Sequence, residues 1–198
     1  MNCFQEAVTN RRTNYALGKD IQVLPSQIIA AVEKMTHEVP SAFNMQSARV
    51  VVAMGEHHEK IWHITKETLR HIVPAENFTS TETKLDGFAA AYGTILFFDE
   101  TKTVEKMQQQ FPAYAENFPV WAQQANGMLQ FAIWTALANL GLGVNLQHYN
   151  PLIDDEVKKE FQVSGSWKLI AQMPFGAKLE APKTIEKIAI GTRVKFFC

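Results

Sequence analysis

Cysteine is almost missing from this 198-residue chain, and the two that occur, Cys3 and Cys198, stand at opposite ends with no CxxC spacing. That pattern excludes a disulfide framework or a zinc cluster and fits a reducing compartment. Excess charge of one sign is missing too. Nineteen Lys and Arg against twenty Asp and Glu give a formal net charge of −1 and a pI near 6.6. Duplex nucleic-acid binders concentrate cations on one face, so no nucleic-acid partner is expected. A long unbroken apolar run is absent as well. The nearest stretch, "GMLQFAIWTALANLGLGV" at 127–144, contains Gln130, Thr135 and Asn139 and breaks at two glycines, so it reads as a buried helix and no membrane partner is expected. The N-terminus has no long apolar core behind a basic start, which argues against a secretory leader and makes the cytoplasm the expected location.

Several common chemistries also lack their residues. No GxGxxG follows a predicted strand, and GxxxxGK[ST], HExxH and GxSxG do not occur. His57, His58 and His63 fall on a predicted surface helix without ligand spacing and read as solvated, with no metal site. What is present is 46% hydrophobic and 11% aromatic residues, enough to bury a full core. Without repeats, low-complexity tracts or charge blocks, residues 1–198 read as one unit.

Periodicity predicts helices over 3–10 and 26–38, the latter from Ile28, Ile29, Val32 and Met35 behind Pro25 and Ser26. The β-branched run 48–54 predicts a strand buried on both faces, and a helix follows over 56–70. Further helices are predicted at 80–93, 102–117, 121–140 and 154–161, with strands at 94–99, 166–176 and 188–197 and an irregular segment at 141–151. Helices dominate and the strands are dispersed between them. An α+β domain with helices packed on a central sheet is therefore expected, not a strict βαβ alternation.

Four polar patches lie beside apolar elements. Arg11-Arg12-Thr13-Asn14 offers two guanidiniums and a hydroxyl suited to a phosphate, or is simply a solvated helix end. In "PSAFNMQSAR", Ser41, Asn44 and Gln46 alternate with Ala42, Phe43 and Met45, a pattern for a planar heterocycle or for an ordinary polar loop. Lys84 lies in "TKLDGF", and "GLGVNLQHYNP" combines two glycines, which let backbone approach a ligand closely, with amides; Gly141 alone is read as a helix C-cap. Arg193 and Lys195 alternate along the last predicted strand, as a second phosphate clamp or as an edge strand's defence. The aromatics Phe111, Tyr114, Phe118 and Trp121 recur at helical spacing; they could line an apolar stacking space or belong to the core, and are taken as core.

In order, "RRTNYALG", "PSAFNMQSAR", "KLDGFAAAYGTILFF", "ENFPVWAQQANGM", "ALANLGLGVNLQHYNPLID" and "SWKLIAQMPFG" resemble the nitroreductase superfamily, in its short bacterial and fungal branch. The resemblance spans about residues 4 to 197. It implies a nitroreductase-like α+β fold, with a central mostly antiparallel sheet surrounded by helices, in an intertwined homodimer with FMN at the subunit interface. It also implies a ping-pong oxidoreductase that passes hydride through flavin N5 from NADH or NADPH to nitroaromatics, quinones or similar small acceptors. No catalytic side chain is then needed, because the hydride chemistry belongs to the flavin. Carried onto this sequence, Arg11, Arg12 and Thr13 resemble the phosphate and ribityl contacts. Ser41, Ala42, Asn44 and Gln46 resemble the ring contacts, usually of the cofactor shared with the other subunit, and Lys84 the lysine at the pyrimidine end. Gln147, His148 and Tyr149 fall on the loop facing N5, where larger members carry Glu-Gly, and Arg193 and Lys195 resemble a C-terminal basic pair at the phosphate. The rival expectation is a non-catalytic flavin-binding module that senses redox state or serves an interaction.

Overall fold

The computed structural model describes residues 3–197. Helix α1 (Cys3–Asn10) and the two-residue strand β1 (Leu17–Gly18) lead into α2 (Pro25–Glu38). Pro25 opens α2 where a missing N–H costs nothing, and the Gln27 side chain accepts from the Leu24 N–H at 2.9 Å. Strand β2 (Ala48–Met54), helices α3 (Glu56–Arg70) and α4 (Ala75–Ala89), and strand β3 (Gly93–Glu100) follow. Then come α5 (Thr101–Gln110), α6 (Asn117–Asn139), β4 (Gly143–Val144), α7 (Asp154–Glu160) and β5 (Trp167–Lys178).

The sheet order is β1-β5-β3-β2, with β4 also on β5, and every strand pairing is antiparallel. Strand β3 shows why its sequence reads as a continuous apolar run. Ile95 and Phe97 pack toward α2 and α6, while Leu96 and Phe98 pack toward α3, α4 and α7, so both faces are covered. Each such side chain contributes about 1.5–3 kcal/mol over exposure. This is the α+β architecture expected, with helices on both sides of a mostly antiparallel sheet.

Several boundaries and one strand differ from expectation. Helix α4 begins at Ala75 instead of 80, because the polar turns of "AENFTSTET" still bury Phe78. The helix predicted over 102–117 stops at Gln110, since Pro112 cannot continue its hydrogen bonding, and α6 starts at Asn117. Strand β2 is not buried on both faces: it is the sheet's edge, mostly half-buried, with β3 as its one neighbour. The strand expected at 188–197 does not form. That segment carries a 3₁₀ turn at Ile190–Thr192 and is exposed, because no strand of the same chain runs beside it to accept its hydrogen bonds. Helix α6 is not fully covered either, since Val120, Met128 and Phe131 are exposed. No helix among the described residues is long and apolar enough to cross a membrane.

Candidate functional site

Where α6 ends, Gly141 takes φ = 92°, as the helix C-cap reading requires. Gly143 then lets three segments meet: a Cβ there would lie 2.7 Å from Leu17 Cδ2 and 3.2 Å from Asn14 Cβ. Through this close approach the first patch and the irregular segment join. Thr13 bridges Val144 in parallel, the Asn14 N–H donates to Val144 O at 2.9 Å, and Asn145 Nδ2 donates to Asn14 O at 2.8 Å.

Above this junction the Arg11 guanidinium lies 4.5 Å from the Trp134 ring centroid and 5.9 Å from that of Phe131. Its Nε–H is buried with no acceptor, and so are the Asn14 Nδ2 and Trp134 Nε1 donors. Three of the four unpartnered buried side-chain atoms among the described residues thus gather at this patch, and all three are donors. Natural cores satisfy nearly all such groups. No carboxylate of the described residues pairs with Arg11 or Arg12. Burial first, and the adjacent Arg12 charge second, push the Arg11 guanidinium down from its ordinary range. A plain solvated helix end would leave neither orphaned donors nor a stacked guanidinium. Arg12 points elsewhere, donating from Nη2 to Lys183 O at 2.6 Å.

From Asn145 the segment continues through Gln147, whose N–H donates to Gln172 O at 2.7 Å and whose Nε2 donates to Asn145 Oδ1 at 2.8 Å. His148 is exposed. The Tyr149 N–H donates to Gln172 Oε1 at 2.7 Å, and burial raises its phenol to about 12, so the hydroxyl keeps its proton at neutral pH. Lys84 Nζ stands 5.9 Å from the Tyr149 ring centroid and 5.7 Å from that of Phe88. A chain of contacts therefore runs from Thr13 and Asn14 through Val144, Asn145 and Gln147 to Tyr149 and Lys84.

The loop of Ser41, Ala42, Asn44 and Gln46 is separate. Phe43, Asn44 and Gln46 all have positive φ, and Ser41 Oγ accepts from the Gln46 N–H at 2.9 Å. This loop packs at the start of α6, where Phe43 contacts Phe118 and Trp121. Arg11 packs thirteen positions further along at Trp134, a rise of about 20 Å. Ser41 and Gln46 also line a cleft of about 760 Å³ with α2 and the β2 edge. Arg193 and Lys195 fare differently from expectation. Without the strand they do not alternate on one face, and both sit exposed on the tail. The reading of three solvated histidines is corrected as well: His58 is 1% exposed, because it faces Thr94 of β3 from α3. No cluster of metal-ligating residues occurs among the described residues.

The family model described as the nitroreductase family matches residues 8–177. This chain belongs to the nitroreductase family. Among curated family members it is 34% identical to the nitroreductase FRM2 of Saccharomyces cerevisiae over 182 residues, 91% of this chain and 90% of that protein. Among solved nitroreductases, CinD from Lactococcus lactis in complex with chloramphenicol superposes with a TM-score of 0.91 at 40% identity, covering 98% of this chain and 100% of that one. A Desulfovibrio desulfuricans protein in complex with FMN shares the fold, with a TM-score of 0.73 at 15% identity over 100% of this chain and 98% of that chain. The protein is a nitroreductase-type oxidoreductase.

Sequence reasoning missed one residue of this patch, Trp134, and gave another no role. Asn14 stood in the patch beside the arginines but has no charge to mark it. Trp134 lies inside the apolar run "FAIWTAL", where only its orphaned N–H separates it from core.

Proposed function

We propose that residues 1–198 form one FMN-binding domain of an NAD(P)H-dependent oxidoreductase that reduces nitroaromatics, quinones or related acceptors as a cytoplasmic homodimer. The observation that carries this reading is the set of buried donors without acceptors around Arg11, with no carboxylate of the described residues paired to the cation. An oxyanion and its polyol linker supply what those groups lack, and the donor set fits the phosphate and ribityl end of FMN. When bound, FMN would supply the hydride chemistry between nicotinamide and acceptor.

The chain's residues would do the rest. Arg11, Asn14 and Thr13 would hold the phosphate end, with Arg12 adding charge. Lys84 and the protonated Tyr149 would lie beyond Gln147 and His148. Ser41, Ala42, Asn44 and Gln46 would serve the ring of a cofactor held by a second copy, since about 20 Å of α6 separates them from Arg11 in their own chain.

A second copy also accounts for the C-terminal tail. Phe196 and Phe197 are 84% and 92% exposed, with Ile188 and Ile190 also uncovered. The alternation that predicts a strand there needs an edge to pair with, and β2 is such an edge. A tail crossing to a partner's β2 would bury its apolar side chains, and Arg193 and Lys195 would complete the phosphate site only in that assembly.

Anaerobic titration of the purified protein tests the reading. Yellow protein that bleaches with NADH or NADPH and recolours with a nitroaromatic or quinone is the expected result. Yellow protein that bleaches with neither nucleotide supports the non-catalytic module, and colourless protein that takes up no FMN overturns both.

A further inference from the structure

Phe43 takes φ = 54°, a left-handed conformation that bulky residues rarely adopt and that persists only where the surroundings over-determine it. Here they do. Asn44 N–H donates to Ser41 O at 2.9 Å, and the Phe43 ring lies 4.9 Å from Phe111, 5.3 Å from Phe118 and 5.8 Å from Trp121. The Trp121 ring is near-parallel to it, at 19°. Despite four aromatic neighbours Phe43 stays 50% exposed, whereas Met45, two positions on, is buried and already fills the core beneath the loop. Packing alone does not call for this arrangement. A glycine would take the same φ without strain, and a buried ring would not leave half its surface to water. What the loop achieves is an aromatic ring backed by a tryptophan and offered outward between Ala42 and Asn44.

We propose that Phe43 is the residue on which the acceptor stacks, and that it selects flat, electron-poor aromatic molecules over non-aromatic ones. Trp121 is a positioning residue that keeps the Phe43 ring in this orientation. The inference rests on the flavin reading above, because the acceptor must lie beside the ring contacts of the same loop. Offset stacking on an aromatic face is the geometry such a surface favours, and the half-exposed ring costs no reorganisation to meet its ligand.

The test uses the full chain reconstituted with FMN, with Phe43→Leu, Phe43→Trp, Trp121→Leu and Trp121→Phe. Flavin absorbance per chain, mass by light scattering, equilibrium dialysis with 4-nitrophenol, and KM for nitrobenzoate relative to KM for ferricyanide are the readouts. Phe43→Leu should weaken 4-nitrophenol binding about three- to tenfold and raise the nitrobenzoate-to-ferricyanide KM ratio by a similar factor. Its flavin content and mass should match the parent's. Phe43→Trp should restore binding, and Trp121→Leu should raise the KM ratio in a way that Trp121→Phe reverses. Unchanged 4-nitrophenol binding in Phe43→Leu overturns the proposal. So does loss of flavin or of dimer in that variant, since the ring would then serve the cofactor or the interface. A parent protein that takes up no FMN sinks the flavin reading instead, and dialysis on that colourless protein still decides whether Phe43 binds the aromatic.

Discussion

Around His58 every side-chain polar atom has a partner; around Arg11 three buried donors have none. The first region lies between α3, α4 and β3. Ala89 O can only accept, so His58 Nε2 carries the proton toward it at 3.2 Å, and Nδ1 accepts from Thr94 Oγ1 at 2.8 Å. Thr94 Oγ1 in turn accepts from Trp62 Nε1 at 2.9 Å. That closed network stabilises the fold and asks nothing of a ligand. The second region is equally well defined by the backbone, yet it is incomplete. Buried polar groups divide in this way between holding the chain together and awaiting a partner from outside it.

The largest expected effect breaks the closed network. His58→Ala leaves the Thr94 hydroxyl proton without its acceptor and Ala89 O without the imidazole donor beside a cavity, and should cost about 2–4 kcal/mol by urea unfolding. FMN bound per folded chain should not change. A loss of flavin from chain that is still folded would erase the contrast between the regions.

Next comes the open one. Arg11→Ala should weaken FMN binding about 10- to 100-fold while leaving riboflavin affinity near that of the parent, because only FMN carries the phosphate charge. It should not lower the melting temperature of the flavin-free protein, since removing an unpaired guanidinium orphans no partner. Equal losses for FMN and riboflavin would count against the phosphate assignment.

Acid should sharpen the comparison further. Burial holds the His58 imidazole below its ordinary value of about 6.5. Below that pH the unfolded chain binds a proton that the native ring refuses, so the unfolded state holds more protons and stability falls as pH drops. The fall ends once the native ring also protonates. Urea midpoints at about pH 7.5 and about pH 5.5 should therefore differ in the parent, and less so in His58→Ala.

Asp99 behaves with the opposite sign. Burial raises its carboxyl despite hydrogen bonds from Asn126 Nδ2 at 3.1 Å and Ser47 Oγ at 3.5 Å. The native state holds this proton to higher pH than the unfolded chain does, so the ionised carboxylate costs stability as pH rises through the native value. Asp99→Asn, which can still accept from Asn126, should change neutral-pH stability by no more than about 1 kcal/mol, toward gain. Smallest of all is Lys34→Ala, which opens an exposed pair with Glu38 at 3.7 Å and should shift stability by under about 0.5 kcal/mol.

The helices and three main strands follow from patterns that act over a few residues. Ile28 and Val32 repeat at helical spacing, and "TILFFD" carries four apolar residues in a row between Thr94 and Asp99. Pro112, Gly141 and the β-branched run at 48–54 act locally as well, and the α+β class could be read from them. The motifs "RRTN" and "PSAFNMQ" were also legible, since their residue types suit an anion and a planar ring whatever the surroundings.

Only the tertiary structure decided how those patches are used. Whether His58 is solvated or sealed depends on Thr94, 36 positions away. Whether "IAIGTRVKFF" is a strand depends on an edge its own chain does not offer it. That Arg11 pairs with no carboxylate of the described residues follows from Trp134 lying beneath it and from which distant segments arrive beside it. Hydrogen bonds and charges are satisfied by whatever comes within a few ångströms, however distant in the chain. Periodicity determined which segments fold, and contact between distant segments determined which polar groups were left open.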